Sequence, residues 1–214
     1  MKKFNLVELK SLNDNPDISF LDENSASRVQ SFHKSFPQYK KTPLGDLKNL
    51  SSRIGLKSLF VKDESYRFGL NSFKVLGGSY AIGEYIAERL QMNLEDLPYE
   101  KLISDEIRQQ LGEIIFTTAT DGNHGRGIAW TANQLKQKSK VFMSKGSSKE
   151  RLENIRKENS DADIYDYNYD DCIRLADKYS KEHNGVIVQD TSWEGYEAIP
   201  RAIMQGYMTI AYEA

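Results

Sequence analysis

Between residues 114 and 189 the chain alternates short apolar runs with polar, helix-forming stretches, and this rhythm restricts the fold more than any other feature. The apolar runs are Ile114-Ile115-Phe116-Thr117-Thr118, Lys140-Val141-Phe142-Met143, Asp163-Ile164-Tyr165 and Val186-Ile187-Val188-Gln189. They are short, bounded by polar residues and rich in β-branched and aromatic side chains, as strands are. Between them lie helical stretches over roughly His124–Gln137, Ser148–Glu158 and Asp170–Lys181. Strands separated by helices cannot pair as hairpins; they line up in parallel, with the helices covering the sheet. The spacing therefore predicts an α/β fold, a three-layer αβα unit around a parallel sheet. No internal repeat or low-complexity linker interrupts it.

The flanks are less regular. Met1 to about Lys40 is polar without a sustained period and reads as an extended arm carrying a short helix near Ser25–His33. Pro43-Leu44 followed by Leu47–Leu50 suggests a turn and a short helix, and Ser58–Lys62 a strand ending at Asp63-Glu64-Ser65. From Phe73 a helix begins, with Leu76, Tyr80, Gly83, Ala87 and Leu90 on one face. A second, acidic and peripheral helical stretch covers much of Leu94–Leu111. Further on, Pro200 opens a helix whose face carries Ile203, Tyr207, Ile210 and Ala214, with no glycine, asparagine or basic turn to stop it.

Charge and cysteine content exclude several roles. Across 214 residues, 29 Lys and Arg nearly balance 31 Asp and Glu, so nothing attracts nucleic acid or an anionic membrane. Cys172 is alone, which rules out an internal disulfide. Met1-Lys2-Lys3 resembles a signal start, but Phe4-Asn5-Leu6-Val7-Glu8-Leu9-Lys10 supplies no uninterrupted apolar core, and no run reaches spanning length. A cytoplasmic protein is expected. His33, His183 and Cys172 make no metal-binding spacing. The acids at 161, 163, 166, 170 and 171 read as a solvated face, and Lys145–Lys149 as a loop leading into a helix.

Three segments carry chemistry. Ser72-Phe73-Lys74-Val75-Leu76-Gly77-Gly78-Ser79-Tyr80 puts one lysine where a loop enters a glycine-bearing helix. An imine-forming lysine needs a site that lowers its pKa or holds the imine already made, and a helix N-terminus, with its partial positive charge, disfavours the ammonium. Gly77 and Gly78 thin the helix, either for a flat ligand or for another helix. Thr120-Asp121-Gly122-Asn123-His124-Gly125-Arg126-Gly127 is a strand-to-helix turn presenting an acid and an amide; its glycine spacing does not fit a dinucleotide fingerprint. His124 reads as a helix-start hydrogen-bonding residue. Gln189-Asp190-Thr191-Ser192-Trp193-Glu194-Gly195-Tyr196 places Asp190 after a strand, where ligands of parallel sheets gather, with Trp193 and Tyr196 as packing.

Together these strings resemble the diaminopropionate ammonia-lyases, within the fold-type-II pyridoxal-phosphate enzymes that include tryptophan synthase β and threonine dehydratase. The likeness runs from about residue 35 onward and covers about half of a typical member. It implies pyridoxal 5'-phosphate as cofactor, bound as an imine to Lys74, with Asn123 hydrogen-bonding the ring's phenolic oxygen. It implies Asp121, which replaces the hydroxyl residue of classical dehydratases, as a base at the substrate Cα. Asp190 would lie near the distal amino group of a small amino-acid substrate. The implied reaction is elimination from 2,3-diaminopropionate to pyruvate and ammonia. Serine or threonine dehydration, and a non-catalytic fragment, stand as alternatives.

The resemblance also implies that residues 75–190 form a small α/β domain, and that 1–74 with 191–214 form part of a larger one. The chain is then a truncated, N-terminal half, lacking the glycine-rich loop that binds the cofactor phosphate. The apolar faces carrying Phe60 and Ile203, Tyr207 and Ile210 would be left exposed or cover each other, favouring a homodimer.

Overall fold

A computed structural model describes residues 17–214; the greater part of the expected N-terminal arm, up to residue 16, lies outside them. Helix α1 (Glu23–Lys34) starts where the Asp22 carboxylate accepts a hydrogen bond from the Ser25 N–H at 2.6 Å. A hairpin follows, with β1 (Leu44–Asp46) antiparallel to β2 (Phe60–Lys62) and α2 (Lys48–Ile54) in the connection. The sequence read Leu44 as part of a turn; three residues, one of them Gly45, are too few to show a period. A 3-10 turn over Glu64–Gly69 then leads into α3 (Lys74–Leu90). The stretch after it, expected as a peripheral helix, is broken at Pro98 into a 3-10 turn (Leu94–Asp96), α4 (Tyr99–Leu102) and α5 (Asp105–Leu111). Leu97, Leu102, Ile107 and Leu111 are buried, so this segment belongs to the core rather than the periphery.

The central rhythm folds as expected. The elements are β3 (Ile115–Thr120), α6 (Asn123–Gln134), β4 (Lys138–Met143), α7 (Lys149–Arg156), β5 (Asp161–Ile164), α8 (Tyr169–Glu182) and β6 (Val186–Ile187). All four strands run parallel in the order β5-β4-β3-β6. Alternation along β4 builds the layers: Val141 and Met143 pack with Ala129 of α6 and Leu152 and Ile155 of α7. Phe142 faces the other way, onto Cys172 and Ala176 of α8. As at α1, side-chain caps start three further helices: Ser104 for α5, Ser148 for α7 and Asn168 for α8.

The C-terminal helical stretch starts at Ala198, two residues before Pro200, and divides at Tyr207 into α9 (Ala198–Gly206) and α10 (Met208–Glu213). The expectation that its apolar face lacks a partner is overturned. Helix α9 lies directly on α3 because Gly77 and Gly206 let the backbones touch. A Cβ on Gly77 would come within 2.7 Å of both Ile203 Cγ2 and Tyr207 Cε1, and one on Gly206 would run into the Leu76 carbonyl oxygen. Gly78 meets Ile128 of α6 in the same way, so both glycines serve helix contacts and not a ligand. Ile203 is 2% exposed, a burial worth roughly 2 kcal/mol, and Tyr207 and Ile210 pack on the same cluster. Phe60, by contrast, stays 55% exposed beside Val61, Leu44 and Leu50.

Two polar devices hold α10. His33 of α1 is fully buried and bonds on both sides. Its Nε2 lies 3.0 Å from the Leu76 carbonyl, so it donates there, and Nδ1 accepts from the Thr209 hydroxyl at 2.7 Å. Burial pushes its pKa down to about 3. Arg67, also fully buried, makes two 2.8 Å bonds to Glu213 and two to Glu64. Lys62 Nζ adds 2.6 Å to Glu213 Oε2, and the Tyr39 hydroxyl donates to Oε1 at 2.7 Å. This cluster ties the hairpin to the end of α10.

Candidate active site

Lys74 occupies the first position of α3, and its backbone N–H reaches the Ser72 hydroxyl at 3.3 Å. Its Nζ lies 3.1 Å from Asp190 Oδ2, with the rings of Phe73 and Tyr207 each 5.5 Å away at their centroids. Residues 116 apart meet because the start of α3 lies on α6, where a Cβ on Gly127 would come within 2.9 Å of Val75 Cα, and α6 opens at the sheet edge that Asp190 also leaves. Strands β3 and β6 are neighbours and parallel, so the turn after β3 and the segment after β6 leave the same edge. The Thr120 hydroxyl accepts from the Gly122 and Gly125 N–H groups, at 2.9 and 3.1 Å, and cinches the first turn. Gln189, fully buried, spans the two strands. Its Oε1 accepts from the Ala119 N–H and the Thr118 hydroxyl, both at 3.0 Å, and its Nε2 donates to Tyr169 at 2.9 Å. The Tyr196 hydroxyl accepts from the Gln189 N–H and donates to the Ile187 carbonyl, while its ring stacks on Trp193. Those two aromatics pack, and through the backbone they aim Asp190.

The structure thus brings Lys74 and Asp190 together and adds His124, whose Nδ1 is 3.7 Å from the same Asp190 oxygen. Asp121 is exposed and accepts a hydrogen bond from the Ser144 hydroxyl. Asn123 is also exposed, at the first position of α6. Tyr207 and His124 were not singled out as site residues from sequence. Tyr207 fell on a helix face with no local motif; His124 stood inside one but looked structural.

Charges at the site oppose burial. Burial disfavours the Lys74 ammonium, but Tyr207 and Asp190 outweigh it and hold its pKa above the ordinary value. The expectation of a lysine lowered by its helix N-terminus is therefore corrected: a carboxylate at 3.1 Å outweighs a partial charge. Burial works against the Asp190 carboxylate too, yet His124 and Lys74 hold its pKa down. For His124, burial wins over Asp190 and the pKa falls. Two buried polar atoms beside the ion pair, His124 Nδ1 and the Tyr207 hydroxyl, have no hydrogen-bond partner among the described residues. A cavity of about 610 Å³ opens elsewhere, along α1, α3 and α9, and none of Lys74, Asp121, Asn123 and Asp190 lines it.

A half-buried lysine amine beside a carboxylate stands at the carboxyl edge of a parallel sheet, where ligands of such sheets gather and where an amine can meet a carbonyl. Residues 36–214 match the family model described as pyridoxal-phosphate dependent enzyme, and the chain belongs to that family. It is 52% identical over 197 residues to the diaminopropionate ammonia-lyase of Salmonella typhimurium, covering 92% of this chain and 49% of that protein. To the Escherichia coli enzyme of the same name it is 42% identical over 213 residues, 99% of this chain and 52% of the relative. The crystal structure of the E. coli enzyme in apo form superposes with a TM-score of 0.86 at 43% identity, over 91% of this chain and 52% of that one. The chain spans about half the length of the curated relatives it matches.

The residues present fit the cofactor's reactive end. Lys74 would supply the amine, Asn123 stands exposed at a helix start, and the two buried atoms beside Lys74 that lack a partner among the described residues would offer hydrogen bonds.

Proposed function

We propose that this chain provides the lysine-bearing half of a pyridoxal-phosphate-dependent ammonia-lyase that converts 2,3-diaminopropionate to pyruvate and ammonia. The observation that carries the reading is the Lys74–Asp190 pair at the sheet edge, in a chain 52% identical to a diaminopropionate ammonia-lyase. Lys74 would hold the cofactor through its amine, and Asn123 would hydrogen-bond the ring oxygen. When bound, the cofactor supplies an electron sink that stabilises negative charge at the substrate Cα. Lys74 and Asp121 are the two groups assigned to take the Cα proton, according to the substrate's configuration. Asp190, which here holds one ammonium, would hold the substrate's distal ammonium in the same way. Residues 75–190 would form the small domain and 1–74 with 191–214 part of the large one, in a cytoplasmic homodimer.

The test is pyruvate release from both enantiomers of 2,3-diaminopropionate, and from serine and threonine, with pyridoxal phosphate added and Lys74→Ala as control. Turnover of diaminopropionate that Lys74→Ala abolishes is expected; faster turnover of serine or threonine would make the chain a dehydratase. A second reading, a polypeptide that binds no cofactor by itself, rests on its spanning half the length of its relatives. Borohydride trapping of pyridoxal phosphate, mapped to Lys74 and stoichiometric, would exclude it.

A further inference from the structure

We propose that His124 is the alternative cation partner of Asp190: when Lys74 gives up its charge, His124 Nδ1 takes a proton and keeps the half-buried carboxylate paired. The inference rests on the reading of Lys74 as the reacting amine and adds a positioning residue that acts through Asp190.

Hydrogen-bond chemistry fixes the state of the ring. Nε2 lies 2.9 Å from the Val188 carbonyl, which can only accept, so Nε2 carries a proton. In the neutral ring Nδ1 is then bare, and what it faces at 3.7 Å is the Asp190 carboxylate, another acceptor. That explains why Nδ1 is buried without a partner among the described residues, a state that disfavours the fold when nothing relieves it. The contrast with His33 is direct. That ring is buried as deeply, but both its nitrogens are bonded, as a structural histidine requires. His124 Nδ1 gains an attractive partner, the Asp190 carboxylate at ion-pair distance, only when it is protonated.

Both cations aim at one atom. Lys74 Nζ and His124 Nδ1 approach the same Asp190 Oδ2. The Asp190 side chain is only 20% exposed, so it cannot rely on water once Lys74 becomes neutral. The ledger of protons is simple: an N–H bond of the Lys74 ammonium breaks and an N–H bond at His124 Nδ1 forms. Lysine falls from +1 to 0, imidazole rises from 0 to +1, and Asp190 stays −1 throughout. The charged groups acting on His124 are Lys74 from α3 and Asp190 from the segment after β6. Asp190 in turn raises Tyr207, between α9 and α10, and Tyr169 of α8, and Asp121 of the adjoining turn also bears on Tyr169.

The experiment is a ring-nitrogen NMR titration of the cofactor-free protein, which has only three histidines to assign. Lys74→Met should raise the His124 midpoint by about one pH unit, a tenfold gain in proton affinity. Lys74→Gln, a second neutral variant, should do the same, and Lys74→Arg should leave it near wild type. Asp190→Asn alone should lower the midpoint, and in the Lys74→Met background it should remove the rise. An unmoved midpoint in both neutral variants, or a rise that survives Asp190→Asn, overturns the proposal. Neither cofactor nor substrate enters the measurement, so its failure would leave the ammonia-lyase reading standing. An inactive chain, equally, would not affect it.

Discussion

Replacing Glu213 by Gln keeps the shape of a side chain that has no exposed surface and removes its charge. In the wild type that carboxylate accepts two hydrogen bonds from Arg67, one from Lys62 and one from Tyr39. Burial alone would raise its pKa, but Arg67, Lys62 and Tyr39 together press it down from 4.5 to about 2. At about 1.4 kcal/mol per pKa unit, that depression is worth about 3 kcal/mol. Because the folded pKa lies below the unfolded one, this stability is present above pH 4.5 and disappears as pH falls toward 2. At neutral pH Glu213→Gln should therefore lose about 3 kcal/mol, at the lower end of the range for breaking a buried pair. The loss stays at that end because Arg67 keeps its two bonds to Glu64. For a chain of this length the melting temperature should fall by about 6–12 °C. Thermal unfolding followed by circular dichroism at neutral pH, and urea titrations between pH 4.5 and 2, read both effects. A drop under about 2 °C, or a variant whose acid dependence matches wild type across that window, would refute the reasoning.

Gly206→Ala drives a Cβ against the Leu76 carbonyl and should destabilise the protein by about 1–3 kcal/mol; an unchanged melting temperature would mean that α9 can leave α3 freely. His33 is held neutral by burial, with its pKa lowered from 6.5 to about 3, so the unfolded chain binds the proton first. Stability should fall as pH drops below 6.5, and His33→Gln should flatten that part of the urea-midpoint profile; a profile identical to wild type would exclude His33 as a source. Asp190→Asn removes the carboxylate that holds the Lys74 ammonium, so Lys74 should be acetylated faster at a given pH, as peptide mapping would show. Equal labelling in the two proteins would mean that Asp190 does not govern that amine.

The layered sheet was legible in the sequence because its signals are local. Each strand of the parallel unit stands out as a short apolar run between polar stretches, and each helix between shows its period within about a dozen residues. The candidate chemistry was legible for a related reason: Lys74, Asp121, Asn123 and Asp190 stand in short strings whose residue types announce a lysine-based site. The β1 strand escaped because three residues carry no period, and the acidic stretch looked peripheral because its buried leucines are spaced by breaks.

What only the tertiary structure decided is which of these strings meet and what each amine carries. Sequence placed Lys74 at a helix start, where the local field disfavours a proton; the packing of α3 on α6, together with the parallel pairing of β3 with β6, sets Tyr207 and Asp190 beside it, and they reverse the sign against burial. Likewise, nothing local shows that Gly77 faces Gly206, that Arg67 closes on Glu213, or that His124 lacks one bond while His33 has both. Periodicity is a property of neighbours along the chain, whereas ion pairs, close helix crossings and unpaired nitrogens arise between residues far apart along it, and their energies follow distance and burial that no single segment contains.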